Sequence, residues 1–158
     1  KAQREVVYSY VMDEIYNMME SGEVAVGAYY AGDYFTMLDA QAPGVDLQFY
    51  YPDPTNYYID AMCIPKCCQN QELAEIFINF MLDRDAAVAN AEYTYYASPN
   101  KVVVNDAEYQ ETLGPDTIAI LYPEIEDFAA KYNALAYRNL PADMLDYINT
   151  LWENVKIT

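Results

Sequence analysis

The run Tyr57-Tyr58-Ile59-Asp60-Ala61-Met62-Cys63-Ile64, closed by Pro65, sets one carboxylate inside an otherwise apolar stretch. Its length, its aromatic and β-branched content and the terminating proline predict a buried β-strand. Side chains two apart share a face of a strand, so Tyr58 and Asp60 are expected side by side. A carboxylate is costly to bury unless it is paired or hydrogen-bonded, and Asp60 is therefore expected to have a dedicated partner. That partner is either a structural ion pair or backbone donor, or the ammonium of a ligand with the Tyr58 ring beside it through cation–π attraction.

Working back from this run, Asp53-Pro54-Thr55-Asn56 is a turn cluster and 45–51 reads as a strand. Pro43-Gly44 ends a helix expected over 33–40, and 24–30 is a short apolar run that reads as a buried strand. Val7, Tyr10, Val11, Ile15 and Met18 recur at three- and four-residue steps, predicting a helix over 7–20 that stops at Ser21-Gly22. Forward of the run, Leu73, Ile76, Phe77, Phe80 and Met81 fall on one face of a helix over 71–82, and 85–93 reads as another. Short helices and loops punctuated by Pro115 and Pro123 are expected over 102–137, and Pro141 opens a last helix in the favoured first-turn position, reaching about residue 155. Alternating elements of this kind indicate an α/β fold with a sheet flanked by helices. No internal repeat or low-complexity linker interrupts them.

A second carboxylate follows a strand in Tyr29-Tyr30-Ala31-Gly32-Asp33, at the end where α/β sheets commonly place ligands. Asp33 is either an ordinary N-cap of the next helix or a second ligand carboxylate. Both runs present an aromatic residue two or three positions before an Asp. Two carboxylates separated by a short diamine, with tyrosines along its methylenes, would satisfy both charged ends and the apolar middle.

Composition agrees with a cationic ligand. The 158 residues are 54% hydrophobic and 21% charged, enough for a buried core. Acidic residues number 25 against 8 basic ones, and the net charge of −17 repels nucleic acid and anionic membrane surfaces while concentrating cations. The same charge also serves plain solubility. There are 18 tyrosines and no histidine, which removes the commonest general base and an imidazole zinc site. Cys63, Cys67 and Cys68 are too few and too close for a four-thiolate site or a disulfide framework, so they are expected as free thiols, Cys63 as a small buried hydrophobe. No cofactor and no metal are expected. No apolar run is long enough to span a bilayer, and KAQREVVYSY has neither a signal-peptide core nor an initiator Met, so the segment is expected to begin inside a larger natural chain.

Tyr30-Ala31-Gly32-Asp33, Tyr58-Ile59-Asp60 with Ile64-Pro65, the run AEIFINFML over 74–82, and Tyr95-Tyr96-Ala97-Ser98-Pro99-Asn100 resemble, in order and spacing, the C-terminal half of bacterial spermidine/putrescine-binding proteins. The resemblance implies a class II periplasmic-binding-protein fold of which this is the C-terminal portion. Residues 1–65 would form the latter part of the second lobe, and 66–158 a helical return into the first. It implies a non-enzymatic substrate-binding component of an ABC importer, outside the cytoplasmic membrane, docking on a permease. Carried over by position, the aromatic wall falls on Tyr30 and Tyr58, where the family usually has Trp, and the amine carboxylate falls on Asp60. A second amine carboxylate falls on Asp33 and a further aromatic on Tyr96. Tyr in place of Trp keeps a ring face but weakens cation–π attraction. Arg138 aligns where the family often presents an amide and would repel a polyamine, so it is expected to bridge lobes or serve structure. A chain holding half a cleft exposes sheet edges, which predicts self-association or strand exchange.

Two other readings remain open at this level: the same fold binding another small cationic or amino compound, and a surface interaction module whose tyrosines serve protein contacts. An enzyme is not expected, because no nucleophile motif is present and nothing in the carboxylate spacing favours acid–base chemistry over binding.

Overall fold

The computed structural model describes residues 2–156, apart from the side chains of residues 125 and 126. A turn of 3-10 helix at Ala2–Glu5 precedes α1 (Glu14–Glu20) and α2 (Ala31–Ala40). After β1 (Asn56–Tyr57) the chain is helical: α3 (Gln71–Leu82), α4 (Arg84–Thr94), α5 (Lys101–Val104), α6 (Ala107–Leu121) and α7 (Ile125–Tyr132). The last two elements are β2 (Leu135–Ala136) and α8 (Ala142–Lys156).

The helices over 71–82, 84–94 and 142–156 fall within a residue or two of expectation because each carries its own start and stop signals. The Asn70 side chain accepts the Leu73 amide at 3.1 Å to open α3, and Tyr95 closes α4 in the left-handed conformation at φ 55°. Pro141 sits just ahead of α8, with its carbonyl accepting the Leu145 amide. The residues of α6 form two helical segments joined at Gly114, whose φ of 77° and ψ of 162° break the ladder beside Pro115.

The packed core lies between α4, α5 and α6. Ala87, Ala91, Val103 and Tyr109 are buried, and Val88, Leu113, Ile118 and Tyr122 pack around them. Two small alanines on one face of α4 let α6 approach closely enough to enclose the Tyr109 ring. Its hydroxyl is satisfied at 3.0 Å by that of Tyr122, which in turn accepts the Ser98 amide at 3.0 Å. Asp106 opens α6 by accepting the Tyr109 amide at 3.0 Å and holds Arg84 of α4 at 2.7 Å. These bonds place the residues after α4, including Tyr95 and Tyr96, against the rest of the unit.

The sheet differs from expectation. The segments 24–30 and 58–64 adopt no strand, and 45–51 adopts none either. The only ladder among the described residues is the parallel pair Asn56↔Leu135 and Tyr57↔Ala136. Strand hydrogen bonds are non-local, so a run with strand composition forms a strand only where another segment lies beside it. The expected burial is lost with the pairing: Val26 is 87% and Ile59 80% exposed, and Cys63 is exposed rather than a core residue. All three cysteines are unbridged, as expected. The chain is thus mostly helical with a two-residue parallel ladder.

The first helix is also shorter than its periodicity predicts, starting at Glu14 rather than residue 7. Tertiary contacts draw the preceding segment away. Tyr10 packs edge-on against Trp152 of α8 at 5.2 Å, and Arg4 donates to the Val155 carbonyl at 3.0 Å. In exchange, Gly27 seats the 24–30 segment on α1, so closely that a Cβ there would meet Ile15 Cγ1 and Met19 Sδ at 2.9 Å.

Candidate functional site

Tyr30 stands at the N-cap position of α2 with extended backbone, and Asp33 lies in the first turn. The capping alternative for Asp33 is corrected by one turn geometry: Tyr30 occupies the cap, and no side chain caps this helix. The Asp33 carboxylate is instead reached by the Tyr96 hydroxyl, which donates to Oδ2 at 2.8 Å across 63 residues of sequence. A negative charge at a helix N-terminus is favoured by the helix dipole, and the first turn of α2 is such a place for the Asp33 side chain.

Tyr58 comes to the same place from the segment after β1. Its ring meets that of Tyr30 edge-on at 5.8 Å. Burial, followed by the bond to Asp33, pushes the Tyr96 hydroxyl far above the ordinary tyrosine range. Burial also raises Tyr58, partly offset by Tyr96, with Asp60 and Asp33 both adding to the rise. Neither Tyr58 nor Tyr96 ionises at physiological pH, and both remain neutral donors and ring faces.

Asp60 is exposed and has no hydrogen bond or ion pair among the described residues, contrary to the buried, partnered carboxylate the sequence predicts. With its segment unpaired, Asp60 is not desolvated and needs no internal partner. It borders an open groove of about 780 Å³ that is also lined by Met62, Met81, Leu82, Asn90 and Lys101. Tyr30, Asp33, Tyr58 and Tyr96 lie outside that groove, so Asp60 stands between it and the tyrosine cluster. Arg138 is expected to bridge lobes or serve structure. It lies exposed after β2 and makes no ion pair among the described residues.

Four of the five residues singled out in the sequence thus meet in pairs around the start of α2, Tyr30 with Tyr58 and Tyr96 with Asp33, while Asp60 lies exposed at the edge of the groove. Gly32 was given no role by sequence reasoning, although it is buried against Tyr96. The signal available for it was a glycine inside the first turn of a helix. A second set of aromatic contacts supports α2 from behind. Phe35 stacks on Tyr95 at 5.7 Å, and Tyr34 meets Phe49 at 5.2 Å. Phe49 in turn meets Tyr51 at 4.6 Å. Among the described residues no cluster of His, Cys, Asp and Glu is arranged to hold a metal ion.

Chemically the arrangement offers carboxylate acceptors, neutral phenol donors and ring faces, a set suited to holding a cation. Residues 3–114 match the family model described as bacterial extracellular solute-binding protein. The norspermidine sensor of Vibrio cholerae serotype O1 is 28% identical over 96 residues, a stretch covering 60% of this chain and 26% of that protein. No solved structure matches the chain. No helix among the described residues is long and apolar enough to cross a membrane. The family match takes in α1 through most of α6 and every residue of the tyrosine–aspartate cluster, and the chain belongs to the bacterial extracellular solute-binding proteins.

Proposed function

We propose that this chain is the C-terminal portion of the polyamine-binding component of an ABC importer, with Asp60 and Asp33 as ammonium acceptors and Tyr30, Tyr58 and Tyr96 as ring faces and donors. The observation that carries the reading is the Asp33 carboxylate bound by the Tyr96 hydroxyl at 2.8 Å, with the edge-on pair Tyr30–Tyr58 at the start of the same helix. The net charge of −17 adds long-range attraction for a cation. The similar protein named a norspermidine sensor makes a polyamine the first ligand class to test.

In this reading residues 1–65 belong to the second lobe and 66–158 return into the first, so ligand closes the lobes on itself and the closed form docks on a membrane permease outside the cytoplasmic membrane. The apolar face of α3, where Leu73 is 58% exposed and Ile76, Phe77 and Phe80 are each 56% exposed, supports a covering lobe. Arg138 would pair across the lobes. A sensor that presents bound polyamine to a signalling partner is the second reading, favoured by the name of the Vibrio cholerae relative.

Calorimetric titration of the natural full-length protein with putrescine, spermidine and norspermidine tests the ligand class. A carboxylate-to-ammonium bond contributes roughly 1.5–3 kcal/mol, so Asp60→Asn is expected to weaken binding about tenfold to a hundredfold. Wild-type affinity in that variant would remove Asp60 from the site. Uptake of labelled polyamine by cells with and without the protein separates import from sensing.

A further inference from the structure

Gly32 occupies the second position of α2 and is buried. Nothing in its backbone asks for glycine, since the glycines with positive φ are Gly22, Gly44 and Gly114. In a helix glycine is less favourable than alanine by up to about 1 kcal/mol. Local conformational energy therefore favours a Cβ at this position, and what opposes it is space. A Cβ on Gly32 would stand 2.5 Å from Tyr96 Cδ2 and 2.7 Å from Cγ, closer than real contacts allow.

The obstacle is not a flexible side-chain tip. Cγ is the root of the Tyr96 ring, and its place is set by backbone that is fixed from two sides. Tyr95 ends α4 in the left-handed conformation with its amide donating to the Ala91 carbonyl, and its ring stacks on Phe35 of α2 at 5.7 Å. The Tyr96 hydroxyl is anchored at 2.8 Å on Asp33, the residue after Gly32. A ring held at both ends cannot retreat from a new methyl group without giving up one of these contacts.

We infer that Gly32 is a positioning residue for the ligand site: its missing side chain admits the Tyr96 ring, which delivers a hydroxyl to Asp33. The bond fixes one carboxylate oxygen and leaves the other, with its two acceptor sites, turned to an incoming cation. Such preorganisation raises affinity by removing the cost of ordering Asp33 on binding. This inference rests on the reading of Asp33 as an ammonium acceptor only in its second half. The control of Tyr96 by Gly32 stands or falls independently of any ligand.

Gly32→Ala in the natural full-length protein separates the two halves. With tyrosine labelled at the ring carbon that bears the hydroxyl, the Tyr96 resonance at neutral pH is identified by its loss in Tyr96→Phe. Asp33→Ala, which leaves the hydroxyl no side-chain acceptor at this position, supplies the reference for a broken bond. Gly32→Ala is expected to move that resonance to the Asp33→Ala position and to weaken putrescine and spermidine binding about tenfold. An unmoved resonance overturns the inference whether or not the wild type binds amines. Absence of amine binding in the wild type would sink the proposed function, while the resonance still judges Gly32. A shifted resonance with wild-type affinity overturns the claim that the bond positions Asp33. If Gly32→Ala does not fold, adding Tyr96→Ala removes the ring that the methyl group meets. Recovery of folding supports the inference, and continued failure overturns it.

Discussion

The α4–α6 unit and the 45–68 stretch differ in what their residues need in order to be ordered. In the first, Val103 and Tyr109 are fully enclosed, with relative exposures of 0%, and every helical hydrogen bond is closed within the element that makes it. In the second, comparably apolar residues such as Ile59 stay 80% exposed, because the strand they are suited to requires a neighbour. Apolar composition is similar in the two regions, and the difference is the range of the hydrogen bonds. A helix satisfies its backbone before it packs, whereas a strand must find its partner first. The tyrosine–aspartate cluster sits at the seam. Tyr96 is delivered by the packed unit and Tyr58 by the open one.

The sharpest way to break this contrast is to empty the enclosed core. Tyr109→Ala removes a ring with no exposure from between α4 and α6 and is expected to destabilise the protein by about 3–5 kcal/mol in urea or thermal denaturation. Ile59→Ala, at the other pole, is expected to change stability by no more than about 0.5 kcal/mol. Equal effects at the two sites would show that the 58–64 segment is packed as tightly as α6.

Acid is the next test, because the unit is clamped by one carboxylate. The Tyr109 amide, assisted by the Arg84 guanidinium, holds Asp106 below the usual carboxylate range. A folded-state pKa below the unfolded value gives stability that is fully present above about pH 4 and is lost as pH falls through the folded value. Stability measured by denaturation from pH 7 downward is expected to decline over that window, and Asp106→Asn is expected to flatten the decline while lowering stability at neutral pH. An unchanged acid limb in the variant would relieve Asp106 of this role. The change is expected to be smaller than that of Tyr109→Ala, since Arg84 is itself half-exposed, with 51% of its side chain in solvent.

The smallest expected effect lies at the seam. Tyr58→Trp enlarges the ring face beside Asp60, and stronger cation–π attraction at a partly exposed position contributes roughly 0.5–1 kcal/mol. Affinity for spermidine is expected to rise about two- to fivefold by calorimetry. Unchanged or weaker binding would mean that the Tyr58 hydroxyl matters more to the ligand than its ring.

Some of this molecule was legible residue by residue. The periodicity of Leu73, Ile76, Phe77 and Phe80 and the stop signals around it define α3, and the punctuation by Pro115 and Pro141 falls where helices break or begin. The repeated pairing of tyrosine with aspartate pointed to a candidate site, and the charge of −17 favoured a cation as the ligand class to test. These features are local or additive, depending on spacing within one turn of chain or on a sum over side chains, and a sequence carries them directly.

What only the tertiary structure decided are the contacts between distant residues. The strand composition of 58–64 did not secure a ladder, and Asp60 consequently lies exposed instead of buried with a partner. Asp33 reads as a cap from its position, but its carboxylate is bound by a hydroxyl 63 residues away. Gly32 reads as a weak helix residue until the Tyr96 ring is seen lying against it. In each case the deciding energy comes from a pair of groups whose separation along the chain says nothing about their separation in space, and only the packing of α2 against the end of α4 brings them together.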